Sequence, residues 1–280
     1  MQGVVASMLP YTDNHLHLDP FKGEGVNAAK KFEKSGLKRI FLVNKMRKDV
    51  KARNFDELYE FTIKLAEKVR ENTGLEVYVV VGVHPVEVVE LYSEYESKTL
   101  DICTRGIDKA IKLIEEGKAI ALGEVGRPHF EVENEIIEIC HKLLTYIFER
   151  AKEIDCAVQL HTESLTPTKL EEIVKIAKKV GLSPKRIIKH FSPVSLVKEC
   201  EKLGVFPSLI SSRSNIVKAL KYGKRFLMES DYLDDLSRPG AVVSPANIPK
   251  VSRYLVENGL MDEDELFKIH GEYIEEVYNL

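Results

Sequence analysis

Short apolar runs and longer stretches of helical period alternate along the whole chain. Runs rich in β-branched residues fall at 11–18, 39–44, 77–84, 119–125, 156–162, 186–191, 205–210 and 226–231. Each has the length of a strand buried on both faces, so eight strands are expected. The segments between them carry apolar residues at three- and four-residue steps. Asn54 with Glu57 predicts a helix start, followed by the stripe Phe55, Leu58, Phe61, Leu65 and Val69. Ile136, Cys140, Leu143, Ile147 and Ala151 form a second stripe. Thr166-Pro167 and Ser192-Pro193 each set a capping residue before a proline, so helices are expected to begin there. Asp262 with Glu265 predicts a capping box, and Met261 with Leu266 a hydrophobic staple, on a last helix closing at Leu280. The connection 85–118 must hold more than one helix. Strand and helix repeating without a break predict an α/β fold, a (β/α)8 TIM barrel over residues 1–280 as a single domain, with an open doubly wound sheet as the alternative.

Composition adds bounds rather than a substrate. A chain of 280 residues that is 44% hydrophobic and 30% charged can bury one large core. A net charge of -3 and a pI near 6.3 supply no global field for a polyanion, so a nucleic-acid contact would need a local basic patch. Cys103, Cys140, Cys156 and Cys200 show no Cys-x-x-Cys spacing, and a reduced cytoplasmic setting is the expectation. No apolar run has the length of a membrane span, and the N-terminus lacks the basic region of a signal peptide. Two glutamines against abundant lysine and glutamate lean toward the composition of heat-adapted proteins.

The candidate chemistry sits at strand ends. His15 and His17, two apart on the first strand, point to one face while Leu16 and Leu18 point to the other. Glu124 ends the fourth strand, His161 the fifth, His190 the sixth and Asp231 the eighth. In a barrel of this kind, side chains at the C-terminal ends of strands converge on one mouth. All six are types that bind divalent metals. Taken singly, each could be a core histidine bonded to a carbonyl or a carboxylate capping a helix; six of them at one end make that poorer.

Asp13-Asn14-His15-Leu16-His17, Gly82-Val83-His84-Pro85, Gly123-Glu124-Val125-Gly126, Gln159-Leu160-His161, Lys189-His190-Phe191 and Glu229-Ser230-Asp231-Tyr232-Leu233, in this order, resemble the TatD-like metal-dependent hydrolases of the amidohydrolase superfamily. The stretch from Asn247 to Leu280 is similar as well, so the resemblance covers nearly the whole chain. It implies a binuclear centre: His15, His17, Glu124 and Asp231 on one metal, Glu124, His161 and His190 on the other, with Glu124 bridging. Two divalent ions lower the pKa of a shared water toward neutrality and polarise the ester or amide under attack. Asp231 is then both ligand and general base, and His84 a substrate contact. Imidazole with carboxylate suits Zn first, with Mn, Co, Fe or Ni as alternatives. The implied activity is that of a deoxyribonuclease or phosphodiesterase; small cyclic amides, lactones or phosphoesters are the alternatives within the class.

Two departures bear on the substrate. The family continues Gly-Glu-x-Gly with Leu-Asp and carries an arginine two residues after the fifth-strand histidine; this chain has Arg127-Pro128-His129 and Thr162-Glu163. An acidic side chain where a phosphate-binding arginine is expected counts against nuclease activity, unless Arg127 compensates as a substrate contact. Lys45, Arg213 and Arg238 are further basic residues near the predicted mouth. His129 and His141 read as structural or exposed, and His270 as lying away from the mouth. A barrel that binds without chemistry and a single-metal deaminase are the rival classes. The partner expected is a small-molecule or nucleic-acid substrate, with no membrane; the oligomeric state is open.

Overall fold

The structure, a computed structural model, describes residues 9–239 and 242–280. Its sheet holds nine strands, all parallel: β1 (Thr12–His17), β2 (Arg39–Val43), β3 (Glu76–Val81), β4 (Ala121–Gly126), β5 (Ala157–His161), β6 (Ile187–Lys189), β7 (Phe206–Ile210), β8 (Leu227–Glu229) and β9 (Tyr232–Leu233). Their order is β8-β7-β6-β5-β4-β3-β2-β1-β9. The eight predicted strands are all present with their ends shifted by up to three residues, most of them shortened, and β9 is the addition. It follows β8 after two residues yet pairs with β1, Leu16 opposite Tyr232. Between them the Asp231 amide bonds to the His15 carbonyl at 2.9 Å, and Ser230 N to Asp13 Oδ1 at 2.9 Å. Asp231 turns there with φ 48°, a left-handed conformation that aspartate tolerates better than most residues.

Both faces of the sheet are buried, which is why the strands read as continuous apolar runs rather than alternating ones. Phe41, Val80, Ala121, Ala157, Ile188, Phe206 and Leu227, from β2 to β8, meet in one inner cluster. The helix Tyr273–Tyr278 closes this cluster with Ile274, Val277 and Tyr278, whose ring stacks on Phe41 at 4.1 Å between centroids. The outer face packs against the helices, with Leu16, Leu18, Leu58, Ile147 and Ile173 among its buried members. The four cysteines are buried and unpaired. No helix among the described residues is long and apolar enough to cross a membrane.

Most of the predicted helix starts appear. Asn54 caps Phe55–Asn72 by accepting from Glu57 N, Thr166 caps Pro167–Val180, and Asp262 and Glu265 form the capping box. The connection after β3 holds two helices, Pro85–Tyr95 and Thr99–Glu115. Two expectations change. Ser192 does not cap: its hydroxyl faces Pro193 O, and the chain enters Val197–Leu203 through a 3-10 turn at Val194–Leu196. The last helix is not continuous either, because a π-helical turn at Lys268–Glu272 interrupts it.

That turn buries His270. Its Nδ1 accepts from Thr12 N at 3.2 Å, its Nε2 meets Ser252 Oγ at 2.9 Å, and burial presses its pKa down to about 3. An unfolded histidine titrates near 6.5, so the unfolded chain takes up the proton first. Stability is therefore full above about pH 6.5 and declines as pH falls toward 3, by about 2 kcal/mol at pH 5 from this group alone. Denaturant unfolding at pH 7 and pH 5 should show the wild type losing more on acidification than His270→Asn, by about that amount.

Candidate metal centre

The six strand-end residues come together at one end of the sheet, around Glu124. His15 Nε2 lies 3.6 Å and His17 Nε2 3.4 Å from Glu124 Oε2. Asp231 Oδ1 is 3.8 Å from His15 Nε2 and 3.9 Å from His17 Nε2. On the other side, Glu124 Oε1 is 2.7 Å from His161 Nδ1 and 3.3 Å from His190 Nε2. Glu124 thus touches both halves of the cluster. A register shift in β1 between Asp13 and Leu16 accompanies the inward facing of both His15 and His17.

The second nitrogen of each ring fixes what the first can do. His15 Nδ1 lies 2.8 Å from Gln159 Oε1, and the Gln159 amide nitrogen donates to Asn14 O at 3.0 Å and to the Tyr278 hydroxyl at 2.6 Å. Tyr278 in turn donates to Asn14 Oδ1 at 2.8 Å, and Asn14 Nδ2 to Ser208 Oγ at 3.0 Å. With every amide in this buried chain oriented, Gln159 offers only an acceptor, so the His15 proton sits on Nδ1. His17 Nδ1 faces the Val43 carbonyl at 3.1 Å, with the same consequence. Both Nε2 atoms therefore aim lone pairs at one place, 3.2 Å from each other and beside a carboxylate oxygen. Such a set needs a cation among its members. Burial opposes charge on His15, yet Glu124 outweighs it and raises the His15 pKa to about 10. A divalent ion would take the position of that proton, so the donors present fit a metal.

His190 is prepared in a similar way. Its Nδ1 lies 3.0 Å from Glu229 Oε1, off the best hydrogen-bond line, and Phe191 N donates to the same oxygen at 2.7 Å. Burial opposes the charge on Glu229, but His190 holds its pKa down at about 2, while burial presses His190 to about 4. A neutral His190 with its proton toward Glu229 leaves the Nε2 lone pair for Glu124's side of the cluster. His15, His190 and Glu229 lie close enough to form a further ligand group, as do His84, Glu124 and His161.

His84 differs. It caps the helix Pro85–Tyr95, its Nδ1 accepting from Val86 N at 3.1 Å, so its proton sits on Nε2, 3.9 Å from Glu124 Oε1. Burial lowers its pKa to about 3, which keeps it neutral. It presents an N–H to the mouth rather than a lone pair. His161 also turns a nitrogen bearing a proton to Glu124, and its Nε2 lies 3.0 Å from His129 Nδ1. His129 is exposed, as expected, but it belongs to the rim of the centre. His270 is remote from it, and His141 is exposed with Nε2 3.4 Å from Arg127 Nη1.

Three of the four expected cationic contacts are occupied. Arg127 Nη2 pairs with Glu163 Oε1 at 2.9 Å, Lys45 Nζ with Asp19 Oδ2 at 2.5 Å, and Arg213 stacks over Tyr254 at 4.3 Å. Gln159, Glu229 and Tyr278 carry no role in the sequence reading. Gln159 stands two residues before His161, and the period of a strand puts it on the same face one layer deeper, whereas Glu229 is the last residue of β8 and meets His190 and Phe191.

The sequence profile of the family described as TatD related DNase matches residues 12–279. The chain belongs to this TatD family. An uncharacterized protein of Methanocaldococcus jannaschii is 38% identical over 99% of this chain and 98% of its own length. Among solved structures, a TatD homologue from Escherichia coli aligns over 98% of this chain and 99% of that one with TM-score 0.69 and 18% identity. An uncharacterized amidohydrolase from Saccharomyces cerevisiae aligns over 96% and 100% with TM-score 0.67 and 15% identity. At these identities the solved structures share the fold. Membership in the TatD family makes the protein a hydrolase, and its His, Glu and Asp groups are suited to divalent ions.

Proposed function

We propose that the protein hydrolyses ester bonds with two divalent ions that share Glu124 at the mouth of a closed (β/α)8 barrel. The bond from Asp231 N to His15 O supports closure, because the last strand segment then touches both β7 and β1. His15, His17, Glu124 and Asp231 would hold one ion; Glu124, His161 and His190 the other, with the His161–Glu124 contact opening to admit it. One observation carries this: two imidazole Nε2 atoms 3.2 Å apart, facing a buried carboxylate.

The ions would supply an acidified water and Lewis-acid contact to the bond under attack, Zn being expected and Mn, Co, Fe or Ni accepted by the same donors. The chain does the rest. Gln159, the Val43 carbonyl and Glu229 keep three imidazoles in the tautomer with Nε2 free. Asp231 accepts the proton released in the attack and returns it to the leaving group. Burial, opposed by His15 and reinforced by Glu124 and Glu229, raises its pKa well above the ordinary carboxylate value, which makes its ionised form a stronger base. His84 offers Nε2–H to the oxygen on which negative charge develops. The family description names DNA hydrolysis, and such a centre also serves cyclic amides, lactones and phosphoesters, so the walls of the cleft decide the substrate. Chelation should abolish turnover of an ester or phosphodiester, and added Zn, Mn or Co should restore it. Full activity in metal-stripped protein would refute the proposal.

A further inference from the structure

Two cavities flank the centre, and His129, His161, His190 and Asp231 border both. The larger, about 740 Å³, is walled by Phe191, Pro193 and Ile210 together with the neutral polar groups of Ser164, Ser212 and Asn215. Phe191 is unusual in two ways at once. It is 53% exposed, and it holds φ 49°, a conformation that bulky side chains avoid. Glu229 fixes it there through the Phe191 amide, so the carboxylate that orients His190 also presents an aromatic ring to the cleft.

The cations near the centre point the other way. A nucleic-acid strand is held mainly by several lysine or arginine contacts to phosphates. Among the described residues, the larger cavity is bordered by one cation, Lys189, which is 1% exposed and bonds its Nζ to the His190 carbonyl. The smaller is bordered by Lys45 and Arg238, and Lys45 is bound to the buried Asp19. Arg127, in the neighbouring hollow, is neutralised by Glu163, whose Oε1 also takes Lys169 Nζ at 3.1 Å. Among the described residues, Arg238 is left as the cation on the cleft wall without such a bond.

Taking the hydrolase reading as its basis, we infer that this cleft selects an uncharged ester bearing an apolar group, seated on Phe191, over a phosphodiester of nucleic acid. Glu163 reinforces this preference by withholding Arg127, in the hollow that adjoins the cleft at His129, from an anionic substrate.

The test uses the full chain in two states. In metal-stripped protein no turnover intervenes, so phenyl butyrate, bis(4-nitrophenyl) phosphate and a single-stranded pentathymidylate can be compared by binding, read by saturation-transfer NMR. Phenyl butyrate should bind at least about ten-fold tighter than either anion, and Phe191→Ala should weaken it by about ten-fold. Glu163→Gln should tighten the diester by about ten-fold while leaving phenyl butyrate unchanged, since a freed guanidinium pairs with phosphate. Metal-loaded enzyme should rank turnover of the same probes in the same order. Anions binding as tightly as the ester, no detectable binding of the ester, or no response to Phe191→Ala would overturn the inference. An intact binding preference with no turnover by metal-loaded protein would instead refute the hydrolase reading and leave the selectivity of the cleft standing.

Discussion

Asp231→Asn should lower turnover about 10²- to 10⁴-fold at saturating metal while metal content stays near that of the wild type. Asparagine keeps the shape and one oxygen, so a ligand contact survives, but it cannot accept a proton. The left-handed backbone at Asp231 is one that asparagine also tolerates, so the turn after β8 should be preserved. Wild-type activity should rise with pH as Asp231 ionises and then level off, because only the ionised carboxylate is a base. The variant should lack that limb. A loss of rate that excess metal restores would mean that Asp231 serves as a ligand alone.

Much of this was legible in the sequence because the period of a strand ties residue spacing to direction. His15 and His17, and Gln159 and His161, are two apart on their strands and face one way, while Leu16 and Leu18 pack outward. Less legible was which nitrogen each ring would offer. That is set by partners distant in sequence, such as Val43 O for His17 and Gln159 for His15, and no local pattern encodes them. Ser192 misled because a capping residue before proline predicts an α-helix, whereas here the chain first makes a 3-10 turn beside the site. The strand β9 was too short to give a periodic signal, and it exists because Asp231 reverses the local backbone and lets Tyr232 reach Leu16. Glu163 was read as a departure from the family's arginine and Arg127 as its substitute; the two prove to be one ion pair.

Glu124→Gln should be more damaging than the loss of any single histidine. Burial opposes the charge of Glu124, but the imidazoles around it, His15 foremost, hold its pKa well below the ordinary carboxylate value. Removing that charge leaves the cluster short of its shared anion, and if Glu124 bridges, both ions lose affinity together. Activity should fall by about 10³-fold or more, and metal should be lost from both positions. His161→Ala offers the contrast: one ion should be lost and the His15–His17–Asp231 side retained. Equal losses in the two variants would contradict a bridging Glu124.

Counting metal is the most direct measurement of the centre itself. Protein stripped with chelator, reloaded with Zn, Mn or Co in turn, and freed of excess by gel filtration should carry two equivalents per chain by plasma mass spectrometry, with Glu124→Gln carrying neither in full. A single tightly held equivalent in the wild type, or none that survives filtration, would contradict a two-ion site built on Glu124.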